Sequence, residues 1–513
     1  MKHPSQSRWS ALALLPALCL LGCSSGGSPG PGPDVIPPEV AASARDWPLP
    51  GRDYRNSRAT TDSTIDASTV ARLGVAWEAP LPGSGAYGNA STTPLILADT
   101  VYLQDLSSNV HALDRETGSV RWKKELARFV IGPNGVAVGW DKIFAVEGTK
   151  DLVALDLATG AELWRRTLPR TRTEGIDIQP TVFGRLVLAS TVPVSLEGVY
   201  TGGDRGVLHA LDVDSGEIVW TFDTVIDDLW GNPEVNSGGG AWYTPAIDTE
   251  RGVVFWGVAN PAPFPGTPEF PNGTSRPGPN LYTNSVVALD ARSGALEWYR
   301  QAIPHDIFDR DLIHTLLVDV ESGGRTRTIV VATGKGGTVL GHDLSTGELL
   351  WETLVGRNEN DDLEELTGPT EVWPGTFGGV LTPPAAADGV VYVATLNAPT
   401  TLSPDIPAYI GSRLDTAPGQ IVALDARDGR IVWDVEIAGD PLGAATVVND
   451  LVFTATFAGR IHALDRATGA TVWTWDAPGG INGWPAVAGD LIVWPVGLAR
   501  PPRLIALRLG PSA

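Results

Sequence analysis

Short runs of alternating apolar and polar residues recur along the chain, and seven of them close on an aspartate. Six of the seven end Ala-Leu-Asp, as at Ala112-Leu113-Asp114 and Ala288-Leu289-Asp290. A period of two predicts β-strands. Each aspartate opens the same spacing: Asp, three residues, Gly, three residues, Trp. The copies are Asp114-Gly118-Trp122, Asp156-Gly160-Trp164, Asp212-Gly216-Trp220, Asp290-Gly294-Trp298, Asp343-Gly347-Trp351, Asp425-Gly429-Trp433 and Asp465-Gly469-Trp473. An aspartate at a strand end can accept bonds from turn amides, and a glycine can take the positive φ that a tight hairpin needs. A large ring recurring at one position marks a contact between neighbouring units.

The two ends of the pattern complement each other. Trp77 sits in Val75-Ala76-Trp77, ahead of the first full copy. Near the C-terminus, Leu504-Ile505-Ala506-Leu507 matches the strand before the aspartate, but no turn or tryptophan follows. The N-terminal strand supplies the missing outer strand, which is how a ring of sheets closes. The expectation is an all-β, eight-bladed propeller over residues 46–510. Two intervals, Trp220 to Trp298 and Trp351 to Trp433, are long enough for extra loops, where chemistry tends to sit on such a scaffold.

The N-terminus breaks the pattern. Lys2, His3 and Arg8 precede an apolar run from Ala11 to Leu21, too short to span a bilayer stably. It reads as a signal segment, 1–22, ending in Leu20-Leu21-Gly22-Cys23, which resembles a bacterial lipobox with Cys23 as the lipidated residue. Ser24 after it resembles an outer-membrane sorting signal, so the chain is expected as an exported lipoprotein facing the periplasm. A Gly/Pro/Ser-rich stretch follows, and residues 23–45 are expected to be a tether. The two cysteines are Cys19 and Cys23, so the mature propeller would hold no disulfide. No C-x-x-C-H haem motif occurs. A net charge of −22 argues against nucleic acid as a partner, and leaves the lipid anchor as the expected membrane contact.

The turn-plus-Trp repeat, with the opening Asp46-Trp47-Pro48 and Gly51 to Arg58, resembles the pyrroloquinoline-quinone (PQQ) alcohol dehydrogenases and related propellers. Non-catalytic envelope scaffolds share the repeat, so the non-repeated residues decide between the two. Gly238-Gly239-Gly240-Ala241-Trp242 resembles the family's Gly-rich stretch, which implies a quinone floor at Trp242 reached through Gly240. Ala259-Asn260-Pro261 resembles its Asn-Pro motif, with Asn260 as a metal ligand. Pro304-His305-Asp306-Ile307-Phe308-Asp309-Arg310-Asp311 resembles a Pro-His-Asp-x-Trp-Asp-Tyr segment, with Phe308 and Arg310 as departures. The match implies Asp309 as catalytic base and metal ligand, and Asp311 as the extra carboxylate of lanthanide-using members. Two alternate residues of an extended segment would face one cation.

Thr333-Gly334-Lys335-Gly336-Gly337 places Lys335 where the family sets a cation against the quinone. Phe377 to Val380 and Gly480 to Gly483, with Asn482, resemble loops lining the pocket. A metal-binding Glu is replaced at its matching position by Thr201, with Glu197 nearby as a substitute ligand. The resemblance implies PQQ with Ca2+ or a lanthanide, an alcohol or sugar substrate, and a separate electron acceptor, cytochrome or quinone. No Ser-His-Asp or paired-Glu spacing recommends a hydrolase.

Overall fold

A computed structural model of the chain describes residues 35–82, 88–130, 132–194, 202–407, 414 and 418–511. Eight antiparallel sheets follow one another along the described residues. Blade 1 spans 95–124, blade 2 137–167, blade 3 174–223, blade 4 246–301, blade 5 312–354, blade 6 385–437 and blade 7 446–476. Blade 8 takes three strands from 486–509 and its outermost, Leu73–Pro80, from the N-terminal side. Leu73–Pro80 pairs antiparallel with Arg503–Leu509, Trp77 opposite Ala506, and the ring is closed as the two chain ends predicted.

The burial pattern explains the composition of the strands. In blade 2 the second and third strands, Lys142–Glu147 and Asp151–Asp156, are buried at every interior position. The outer strand Glu162–Thr167 alternates exposed and half-buried residues. The middle strands touch a neighbouring blade on both faces, so they are apolar on both, and only the outer strands keep a polar face.

The repeat owes its residue types to one contact. The indole N–H of each of seven tryptophans donates to a turn carbonyl of the next blade at 2.9–3.2 Å, from Trp77 to Arg115 O through Trp433 to Arg466 O. The ring itself lies on the repeat glycine of that turn. A methyl group added at Gly294 would come within 2.6 Å of Trp220 Cδ2, and one at Gly347 would overlap Trp298. The aspartate holds the turn in shape: Asp114 Oδ1 accepts from the amides of Glu116 and Thr117 at 3.1 and 2.9 Å. The glycines also sit at φ near +70°, as expected of the turn. Their second duty, giving way to the preceding blade's indole, was not visible in the spacing.

The innermost strands would leave free edges along the axis, and the segment before the first blade covers several of them. Ile247 N bonds Tyr54 O, Leu317 N bonds Arg55 O, Ala386 N bonds Ser57 O and Val447 N bonds Arg58 O. Ala59–Thr60 then runs parallel to Thr446–Val448 of blade 7. Residues 54–60 thus form a strap inside the ring, touching blades 4 to 7 in turn.

The long intervals hold the extra structure that the sequence anticipated. Ser237–Gly238 pairs with Pro261–Ala262, and Thr370–Val372 with Thr400–Leu402. Both small sheets lie at the end of the ring where inner strands begin and second strands finish. That end carries the candidate site.

Blade docking gives a direct test. Gly347→Ala must bear both a left-handed residue and a clash with Trp298, and is expected to lose ~2–4 kcal/mol in urea unfolding. Gly252 has a similar φ of +69° but open space around it, so Gly252→Ala should lose only ~1–2 kcal/mol. Equal losses would show that the indole contact adds nothing.

Candidate functional site

Blade 4 supplies the floor. Trp242 lies in the loop leading to strand Ala246–Asp248, held on the second strand of the same blade by two backbone bonds. Gly239 N donates to Asn260 O at 3.0 Å, and Ala259 N to Gly240 O at 2.7 Å. Gly238 sits at φ +134°, and a methyl group there would come within 2.6 Å of Asn260 O. The glycine run is therefore what allows the Trp242 loop to lie flat against the Asn260 turn. On one side the half-buried indole packs with the Leu381, Leu396 and Leu442 cluster, near Phe377 and Phe457. The Tyr243 ring lies 5.4 Å from it at a tilt of 34°, and in turn meets His314 at 4.1 Å and Trp484 at 5.5 Å.

Blade 5 supplies the charges. Asp309 and Asp311 precede its inner strand Leu312–Ser322, and Lys335 follows its second strand Arg325–Gly334. The Lys335 ammonium donates to both oxygens of Asp309 at 3.1 Å and lies 2.7 Å from Asp311 Oδ2. It also stands 4.8 Å from the centre of the Trp242 ring. Asp311 Oδ1 accepts from the backbone N–H of Asn260 at 2.7 Å, which ties the two blades together at the site. Asp309, Asp311 and Lys335 are all buried. The Asn260 amide nitrogen donates to Pro261 O at 3.1 Å.

One expectation needs correction. The segment is not extended through both aspartates, because Asp309 has a φ of +65°. The carboxylates meet on Lys335 because the chain turns at Asp309, not because alternate side chains share a face. Asp306 holds that turn: its carboxylate accepts from the amides of Phe308 and Arg310 at 2.8 and 2.7 Å and from Asn284 Nδ2 at 2.8 Å. Burial alone would raise the Asp306 pKa, but Arg310 and these donors hold it below the ordinary value. Asp306 belongs to the quoted motif, yet nothing in the sequence marked it as the residue that shapes the loop. Lys335 is seated by a close approach as well, since a methyl group at Gly379 would overlap its carbonyl.

Burial pushes the Asp309 pKa well above the ordinary carboxylate value. Asp311 adds to the rise and Lys335 opposes it. Two carboxylates share one ammonium, so the cluster retains one negative charge in a buried place, which calls for a proton or a cation. Asp309, Asp311 and Asn260 are hard donors of the kind that suit Ca2+ or a lanthanide. The indole floor, apolar walls and buried ammonium suit a flat, acidic aromatic ring. Among the described residues no three His, Cys, Asp or Glu side chains are grouped as a metal site. Glu197, Thr201 and Cys23 lie outside the described residues. Asn482 lies at the same end of the ring, just before blade 8's inner strand Ala486–Ala488 and two residues from Trp484.

Comparison with known proteins assigns the fold to a family. Residues 47–130 and 169–354 match the family described as the glucose/ethanol/alcohol dehydrogenase β-propeller domain, PQQ type. The chain belongs to this family. Residues 417–497 of this PQQ-type propeller also match the outer membrane protein assembly factor BamB. It is 26% identical over 413 residues to the quinohemoprotein alcohol dehydrogenase of Comamonas testosteroni, covering 71% of this chain and 56% of that enzyme. The chain thus spans little more than half the length of that relative. The crystal structure of the Comamonas enzyme superposes with a TM-score of 0.80 at 22% identity, over 92% of this chain and 82% of that one. A europium-containing methanol dehydrogenase superposes at 0.77 and 20% identity, over 92% and 100%. At these identities the superpositions speak for the fold.

The raised pKa of Asp309 fixes the sign of a pH effect. The folded state holds this proton more tightly than the unfolded chain, so stability is lost as pH rises from about 4 through the folded value. In metal-free protein, Asp309→Asn removes that loss, and its unfolding free energy relative to wild type is expected to improve steadily from pH 4 to pH 8. A difference independent of pH would mean that Lys335 fully offsets burial.

Proposed function

We propose that this propeller is a PQQ- and metal-dependent dehydrogenase that oxidises an alcohol or sugar hydroxyl. The observation that carries it is the meeting of Asp309, Asp311 and Lys335 beside Trp242, with Asn260 bonded to Asp311. These residues come from four separate segments and two blades. A propeller serving only as a scaffold has no need to gather them.

Bound PQQ would supply the hydride acceptor, and a bound cation the charge that polarises it. The chain's own residues do the rest. Trp242 gives a flat face and excludes water from one side of the ring. Asp309 takes the proton of the substrate hydroxyl, and its raised pKa brings it closer to the working pH of a general base. Asp311 and Asn260 would add oxygen donors for the cation, with Glu197 as a further candidate ligand. Lys335 orients both carboxylates and sets a positive charge near the quinone oxygens. Gly240 and Asn482 shape the pocket by close approach and by the polar lining of blade 8. The lanthanide option rests on Asp311 and on the europium-containing neighbour.

The same reading extends to location. Cys23 would carry lipid and the enzyme would face the periplasm from the outer membrane. The expected tether 23–45 is shortened at its C-terminal end, because Pro38–Ala42 forms a short helix and Val35 and Val40 pack on the ring. No described helix is long and apolar enough to cross a membrane. Electrons would pass to a separate cytochrome or quinone. The competing reading, an envelope-assembly scaffold, draws on the BamB match at residues 417–497, a stretch that supplies Leu442 and Trp484 to the packing around Trp242 and Tyr243 but none of the charged residues.

Reconstitution separates the two. Incubation with PQQ and either Ca2+ or La3+ should quench tryptophan fluorescence and give dye-linked oxidation of a panel of alcohols. Asp309→Asn should keep the quenching and lose ~10²–10⁴-fold in kcat/KM. The wild-type profile should rise with pH above the ordinary carboxylate range, since the base acts ionised. Absence of quenching with either metal would favour the scaffold.

A further inference from the structure

Beside Trp242 lies a small axial cavity. It is lined by Trp242, Tyr243, His314 and Trp484 together with the strap residues Asn56 and Arg58. Its polar groups are unusual for a buried space. The indole N–H of Trp484, a residue only 4% exposed, has no hydrogen-bond partner among the described residues. An indole nitrogen can only donate. His314 Nε2 is likewise buried without a partner; the other ring nitrogen donates to Leu381 O and burial keeps the ring neutral, so Nε2 is an acceptor and takes no part in holding an anion.

Arg58 is more telling. Its guanidinium is fully buried and donates to the carbonyls of Ala445, Pro50 and Pro485 and to the hydroxyls of Thr93 and Thr446, at 3.0–3.3 Å. All five partners are neutral. It lies 5.6 Å from the Trp47 ring and its charge reaches the neutral His314, and no ion pair joins Arg58 to a carboxylate among the described residues. Its hydrogen bonds are satisfied and its charge is not. Burial without a counter-charge pulls its pKa down to about 9, and a buried charge of this kind is costly unless it is balanced.

We propose that this cavity is a binding site for a small monovalent anion of halide size, held by the Trp484 N–H and balanced by the Arg58 guanidinium. The cavity lining includes Trp242 but not Lys335, Asp309 or Asp311. The site does not depend on the dehydrogenase reading and would be present with or without the quinone.

The test uses the full chain without added cofactor. At constant ionic strength, chloride and bromide should raise the unfolding midpoint above that in sulfate, and the rise should saturate. Trp484→Phe keeps the ring and removes the donor, and should weaken the apparent halide affinity about tenfold. Crystals soaked in bromide should show anomalous density within hydrogen-bond distance of Trp484 Nε1, a readout that holds even if the variant folds poorly. A midpoint that ignores the halide, a halide effect unchanged in Trp484→Phe, or a cavity filled by water alone under bromide would overturn the proposal.

Discussion

The ring rests on an indole seated where a side chain cannot be. Seven tryptophans, Trp77 to Trp433, each lie on the glycine of the next blade's turn and donate the indole N–H to that turn's backbone. The contact joins an apolar surface to a directional bond, so it fixes both the spacing and the rotation between blades. Trp298 of blade 4 on Gly347 of blade 5 is the copy that matters for chemistry. It holds the blade carrying Trp242 and Asn260 against the blade carrying Asp309, Asp311 and Lys335.

On that frame the site is assembled from loops at one end. Glycines again decide how close the parts come: Gly238 against Asn260, and Gly379 against Lys335. The charged centre spans the blade boundary through the bond from Asn260 N–H to Asp311. A shift of blade 5 against blade 4 would break that bond and separate the indole from the ammonium. Scaffold stability and site geometry are therefore one problem in this protein.

How much could be read beforehand follows from how each feature is encoded. The propeller was legible because its signal recurs seven times and its ends are complementary. The site was legible in part because its residues sit in short local segments that resemble a family's motifs. What escaped the sequence arises only from tertiary contact. Nothing near Gly347 announces Trp298, and nothing near Arg58 announces Ala445 or Pro485. The left-handed turn at Asp309 was hidden because aspartate tolerates both that conformation and an extended one. Asp306 resembled one more acidic residue in a loop, and only its buried bonds to two amides and Asn284 reveal its role.

The central claim is that Lys335 and the two aspartates form one buried electrostatic unit. A double-mutant cycle on Lys335→Met and Asp311→Asn, read as unfolding free energy in metal-free protein at neutral pH, tests it most directly. Buried as they are, the pair should couple by about 1.5 kcal/mol or more. A coupling of ~0.5 kcal/mol or less, the size expected of an exposed pair, would contradict it.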